Sequence, residues 1–144
     1  MDKAFVGRQP IFDGELRVYA YELLYRSSDT AQAGVVDGDA ATSSVIINTL
    51  TEIGLGTMTG DKRAFINLTR RFLVGEHPIS IPSDRFTLEI LEDVPVDQPL
   101  LDAIRQLKRK GFEVALDDYD GNRDKEPLLT AVDIVKVDLM RVDR

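Results

Sequence analysis

The hydrophobic positions begin as short strand-like runs and then alternate between strands and helical stripes. Ala4–Phe12, AFVGRQPIF, is apolar apart from Arg8-Gln9, and Asp13-Gly14 gives a turn signal before Leu16–Leu24. Two strand-like runs joined by a few residues containing Asp-Gly predict a β-hairpin. Pro10 marks the first strand as an edge or irregular strand. Within Val18–Arg26, VYAYELLYR, one acid, Glu22, stands among apolar and aromatic residues. A carboxylate there is costly to bury unless a partner or a metal compensates it.

Ser27–Gly38 is small and polar and reads as a loop. Asp39 is a plausible N-cap, Ile46, Leu50 and Ile53 share a helical face, and Gly54 and Gly56 end that helix. Arg63–Thr69 is the third strand, Arg70–Gly75 a turn of helix, His77–Asp84 a proline-bearing loop and Phe86–Leu91 the fourth strand. Asp97–Lys110 carries the strongest helix pattern. Asp97 caps it, Leu100, Ile104 and Leu107 form its stripe, Lys108, Arg109 and Lys110 suit the C-terminal dipole, and Gly111 stops it. Phe112–Leu116 is the fifth strand, running into Asp117-Asp118. A short Leu128-Leu129 segment precedes the sixth strand, Ile134–Val137. Strands alternating with helices after the hairpin imply right-handed crossovers and a parallel sheet.

Composition narrows the chemistry. With 144 residues, 43% hydrophobic and 30% charged, the chain can bury a core. A net charge of −7 argues against a nucleic-acid polymer as partner, though not against a small anion held through a metal. There is no cysteine, which removes thiolate chemistry and fits a cytoplasmic location. No apolar run reaches membrane-spanning length, so no membrane partner is expected. The single histidine, His77, excludes a His-rich zinc site and reads as a solvated loop residue.

Polar residues recur at or near the C-terminal ends of successive strands: Glu22, Asn67, Glu89, Asp117 with Asp118, and Lys136. In parallel α/β architectures that end of the sheet is where sites form. Carboxylates and an amide on one rim suit a hard cation such as Mg²⁺, Mn²⁺ or Ca²⁺. Without one, the acids would repel and some would take up protons. Lys136 can balance charge or orient an attacking water. Taken singly, each residue also has an ordinary structural explanation. Glu22 could pair with Arg26 or Arg8, Asn67 could cap a helical turn, Glu89 could face solvent, the Asp pair could cap loops and Lys136 could be solvated. Recurrence at the same place on successive strands weakens that joint explanation. A Schiff-base role for Lys136 is disfavoured because surrounding carboxylates favour its charged form.

These residues resemble the EAL domain family of cyclic-di-GMP phosphodiesterases and their degenerate relatives. Gln9-Pro10-Ile11 resembles the opening QPI, and Glu22-Leu23-Leu24-Tyr25-Arg26 resembles E-A-L-x-R with Leu23 in place of Ala. Asn67-Leu68-Thr69 resembles N-L-S, and Leu88-Glu89-Ile90-Leu91-Glu92 resembles L-E-I-T-E. Asp117-Asp118-Tyr119 resembles D-D-F, and Val135-Lys136-Val137-Asp138 resembles I-K-I-D. The resemblance implies an α/β fold, a (β/α) TIM-type barrel opening with an antiparallel hairpin. Residues 1–144 would supply strands one to six as the N-terminal part of an EAL-like domain, with no second domain. Because a closed barrel has eight strands, the expectation is a fragment or a fold completed by another chain. The resemblance further implies Mg²⁺ or Mn²⁺ on Glu22, Asn67, Glu89, Asp117 and Asp118, with Glu22 and Lys136 catalytic. By the same carry-over Gln9 touches a guanine and Arg26 a phosphate.

One segment departs from the family pattern. Asp120–Pro127, DGNRDKEP, replaces the Gly-rich G-x-G-x-S-S-L loop that follows D-D-F. The opening, VGRQPIFDGELRVYAYELLYRSS, more narrowly resembles EAL–HDOD signalling proteins. The expectation is therefore a divergent signalling domain that binds cyclic-di-GMP or a protein partner with little or no hydrolysis. A C-terminal HDOD-like domain or a homodimer is the expected company. The alternative is a working metal-dependent phosphodiesterase.

Overall fold

The computed structural model describes residues 4–27, 35–36, 54–68, 70–74, 83–91, 94–119, 121 and 123–138. Strands β1 (Ala4–Phe12) and β2 (Val18–Ser27) form the hairpin. β3 (Val35–Val36), α1 (Leu55–Thr59), β4 (Arg63–Leu68), α2 (Arg70–Leu73) and β5 (Phe86–Ile90) follow. Then come α3 (Gln98–Arg109), β6 (Glu113–Leu116), a 3₁₀ turn (Arg123–Lys125), α4 (Glu126–Ala131) and β7 (Ile134–Val135). The strands lie in one curled half-barrel sheet of order β1-β2-β4-β5-β6-β7, with β3 also on β4. β1 and β2 are antiparallel and the other pairs parallel, as the hairpin and crossovers predict.

Most boundaries follow the sequence pattern, and the differences have local causes. The second strand starts at Val18 rather than Leu16. The Asp13 carboxylate accepts from the backbone N–H groups of Glu15 and Arg17, at 2.9 and 3.0 Å, and Leu16 has φ 62°. Those bonds keep residues through Arg17 in the turn. The expected loop Ser27–Gly38 contains β3. β2 pairs with β4 only over Ala20–Glu22, which leaves the edge at Asn67-Leu68 for the β-branched Val35-Val36. Gly56 does not end a helix. It lies inside α1, and Gly60, at φ 63°, is the residue that stops it. The helix expected over Ile46, Leu50 and Ile53 lies outside the described residues, as does His77.

α3 shows how the local code works. Asp97 accepts from the Leu100 N–H at 3.0 Å, while Leu100, Ala103, Ile104 and Leu107 turn inward. Gly111, at φ 96°, provides the left-handed stop. That face packs on the outer side of the sheet against Ile66, Leu88, Ile90, Val114 and Leu116.

Strand alternation sends the other residues to the concave side. There Ala20, Phe65 and Ala115 form a second small core with Ile11 and Ile134 against it. At the N-terminal ends of the strands lies a polar latch. Arg63 Nε donates to Thr87 Oγ1 at 3.2 Å, and Thr87 Oγ1 donates to Glu113 Oε1 at 2.9 Å. The Arg63 fork also donates to the carbonyls of Ser83, Asp84 and Phe86. At the C-terminal ends, on the far side of Phe65, the candidate site begins. No helix among the described residues is long and apolar enough to cross a membrane.

Candidate functional site

The sheet register places the site. Asn67 pairs across β4 and β5 with Glu89, two positions after the buried Phe65–Thr87 pair, so both face the concave side. Leu116 pairs with Val135, so the residues that follow them, Asp117 and Lys136, leave the sheet side by side. The Asp117 N–H donates to the Ile90 carbonyl at 2.9 Å, and the Lys136 N–H to the Leu116 carbonyl at 2.9 Å. These two bonds fix both backbones at the rim although β7 itself ends at Val135 rather than at the expected Val137. Glu22 arrives from β2 at its last pairing position with β4.

Lys136 is the hub. Its Nζ lies 3.2 Å from Glu22 Oε1, 3.2 Å from both Glu89 carboxylate oxygens and 3.1 Å from Asp117 Oδ1. Asn67 Nδ2 donates to Glu22 Oε1 at 3.2 Å. Glu89 is fully buried. Burial pushes its carboxyl up to about 8; Lys136 opposes that shift, and Glu22 and Asp117 add to it. Asp117 is raised for the same first reason, with Lys136 again opposing and Glu22 and Asp118 adding. Burial pulls Lys136 down, but Glu89, Glu22 and Asp117 together hold it above the usual lysine range. The cluster therefore carries a firmly cationic lysine among acids of which burial pushes the deepest, Glu89, furthest toward its protonated form.

Five of the six strand-end residues thus converge: Glu22, Asn67, Glu89, Asp117 and Lys136. Asp118 stands next to them, half-buried and at φ 52°, a left-handed conformation unusual outside glycine. Gln9 pairs directly with Glu22 across the hairpin and is exposed. Arg26 lies in β2 opposite Phe5, and its side chain is outside the described residues. Among the ordinary explanations, Arg8 is engaged elsewhere, 4.7 Å over the Tyr21 ring, and Glu89 does not face solvent. Sequence reasoning missed the latch of Arg63, Thr87 and Glu113. Its signal was present in the spacing, because Thr87 precedes Glu89 by two positions on the same strand face.

The donor set fits a hard cation. One oxygen from each of Glu22, Glu89 and Asp117 lies within 4.8 Å of the others. Among the described residues, Asn67 Oδ1 is buried with no hydrogen-bond partner. A buried carbonyl oxygen without a partner is unfavourable, so an orphan beside three carboxylates is suited to a ligand that accepts oxygen lone pairs. All-oxygen sets of this kind suit Mg²⁺, Mn²⁺ or Ca²⁺.

No family model matches the sequence. Over 95% of its length the chain superposes on the Bacillus subtilis YkuI protein, which has an EAL domain and was solved with substrate c-di-GMP and calcium; the TM-score is 0.66 at 21% identity over 42% of that chain. This chain has an EAL-like fold. The chain is also 37% identical to the uncharacterized protein YuxH of Bacillus subtilis, over 99% of its own length and 36% of YuxH. It is 32% identical to the cyclic di-GMP phosphodiesterase CdgJ of Vibrio cholerae, over 97% of its own length and 33% of CdgJ. The chain spans about a third of the length of the curated relatives it matches.

Proposed function

We propose that this chain is the site-bearing part of a divergent EAL-like signalling domain that binds cyclic-di-GMP through a divalent cation and hydrolyses it slowly or not at all. The observation that carries the reading is the convergence of Glu22, Glu89 and Asp117 beside the orphaned Asn67 Oδ1. Mg²⁺ or Mn²⁺ would be held by Glu22, Asn67, Glu89 and Asp117, with Asp118 adjoining. Such a cation, when bound, polarises a phosphodiester and activates water. Lys136 keeps a positive charge at the mouth of the site, where it can balance a phosphate or orient water. By the family resemblance Gln9, exposed beside Glu22, is assigned to a guanine and Arg26 to a phosphate.

Slow turnover is supported by the segment after Asp118. It contains the charged 3₁₀ turn and the proline-started α4. Lys125 Nζ donates to the Val94 carbonyl at 2.7 Å, which commits that turn to holding the approach to α3. A protein partner, a C-terminal HDOD-like domain or a second copy would then read the bound state, in a cytoplasmic setting that suits a cysteine-free chain. The second reading, an efficient phosphodiesterase, is favoured by the presence of every metal ligand expected within these six strands.

The test is cyclic-di-GMP binding and hydrolysis by the full-length protein with Mn²⁺. Cation-dependent binding with little linear dinucleotide formed, and loss of binding in Glu22→Gln, supports the proposal. Rapid Mn²⁺-dependent hydrolysis, abolished by Glu22→Gln, would establish the second reading instead.

A further inference from the structure

The turn end of the β1–β2 hairpin carries a cost that the fold does not need. Leu16 holds φ at 62°, a left-handed conformation that is strained for a bulky side chain, while Gly14 in the same turn does not take it. Burial gives nothing back, because Leu16 stays 74% exposed. Phe12, the last residue of β1, is 54% exposed, and Tyr19, near the start of β2, is 40% exposed. Single exposed apolar residues are ordinary, but here three stand at one end of one hairpin. The turn that presents them is well tied. The Leu16 N–H donates to the Asp13 carbonyl at 3.0 Å and the Asp13 N–H to the Arg17 carbonyl at 2.9 Å. Arg17 also pairs with Asp13 at 3.3 Å and with Glu15 at 2.9 Å. Apolar side chains held on such a frame have little backbone freedom left to lose on binding. Ala20 is level with Arg63, the first residue of β4, so this end lies beside the latch and away from the acids.

We propose that the hairpin end is a docking knob for a separate partner protein, which receives Leu16 and Phe12 in an apolar socket ringed by lysines or arginines. The basic ring follows from charge. Asp13, Glu15 and Arg17 leave one negative charge around the knob, and the chain carries −7 overall. The same charge disfavours a second copy as occupant, since like-charged copies repel. Tyr19 extends the apolar surface toward the sheet, its ring edge-on to Phe65 and its hydroxyl 3.4 Å from Glu113. A partner seated there leaves the acid rim open. The proposal gives the signalling partner invoked above a place and a chemistry, and it does not depend on whether the rim takes a cation.

The experiment replaces Phe12 with the photo-crosslinker p-benzoylphenylalanine in the full-length protein, irradiated in an extract of its own host. One partner protein is expected, crosslinked through apolar residues flanked by lysine or arginine. Its yield should fall several-fold as salt rises from about 0.05 to about 0.5 M. The same probe at Arg105, on the exposed face of α3, should not capture it. Capture of a second copy, of another segment of the same polypeptide or of lipid would overturn the proposal. So would a partner surface without basic residues, equal capture from Arg105, or no capture. Leu16→Gly separates docking from folding. Glycine adopts left-handed φ freely, so this variant should keep or raise the urea midpoint while cutting the crosslink yield from Phe12 about tenfold. A lowered midpoint would show that Leu16 serves the fold, and an undiminished yield that it does not dock; either result sinks the idea.

Discussion

Glu22 and Lys136 lie 114 positions apart in the chain and meet at 3.2 Å, the first and last strands of the site closed by one ion pair. β2 brings the acid and the end of β7 brings the base, so the contact exists only when the whole half-barrel has formed. Removing one partner of such a mostly buried pair leaves the other uncompensated, which costs more than the pair itself contributes.

Glu89 should make stability depend on pH in an unusual direction. An acid ordinarily near 4.5 is pushed up to about 8 here, so between those values the folded state holds a proton that the unfolded state has released. Stability of the metal-free chain is then greatest near the lower end of that window and is lost as pH rises through about 8, by a few kcal/mol in order of magnitude. Asp117 shifts in the same direction and adds to the effect. Urea unfolding in EDTA between pH 5.5 and 8.5 checks this, and Glu89→Gln, which mimics the protonated acid, should flatten the dependence.

Asn67→Ala should separate stability from ligation. The change removes one hydrogen bond to Glu22 but also an unpaired buried oxygen, so the net cost is expected to be about 1 kcal/mol or less. If Asn67 ligates the cation as proposed, Mn²⁺ affinity should fall by about tenfold or more, because that ligand and an orienting donor are lost together. Denaturant melts and cation titration on the same variant distinguish the two quantities.

Phe65→Ala should be far more damaging to the fold. The ring is fully buried between the two polar ends of the concave face and meets Tyr19 edge-on with centroids 6.3 Å apart. Loss of the ring leaves a cavity worth about 3–5 kcal/mol. A lower urea midpoint with unchanged m-value is the expected result.

Asp97→Ala should destabilise without touching the site. Asp97 caps α3 through Leu100 and accepts from Arg70 Nη2 at 2.6 Å on its other oxygen. Loss of the cap and of this partly exposed ion pair is expected to cost about 1–2 kcal/mol. Cation affinity measured well below the melting temperature should be unaltered.

Much of the fold was legible because its elements are written locally. The α3 stripe and cap, the Asp13-Gly14 turn signal and the strand runs each depend on neighbours a few positions away. The site residues were legible for a related reason, since polar groups in apolar strands are rare enough to stand out. Other features depended on distant partners. β3 exists because β2 leaves the upper edge of β4 open, and no pattern within Val35-Val36 states that. The central place of Lys136 was equally hidden. Its spacing suggests a neighbour to the acids, whereas the register of Leu116 against Val135 puts it in contact with three of them. The latch of Arg63, Thr87 and Glu113 left only the spacing of Thr87 from Glu89 as a trace, because one arginine serving three backbone carbonyls leaves no motif of its own.

Phe65, Ala20 and Ala115 lie between that latch and the acids. An apolar plug of this kind divides the labour of the concave face, because charges on either side of it exchange little with the other. Substitutions in the upper group and in the latch should therefore add independently. A lineage could alter the chemistry at the rim while inheriting an undamaged scaffold, and a sheet built this way can outlast changes in what its rim binds.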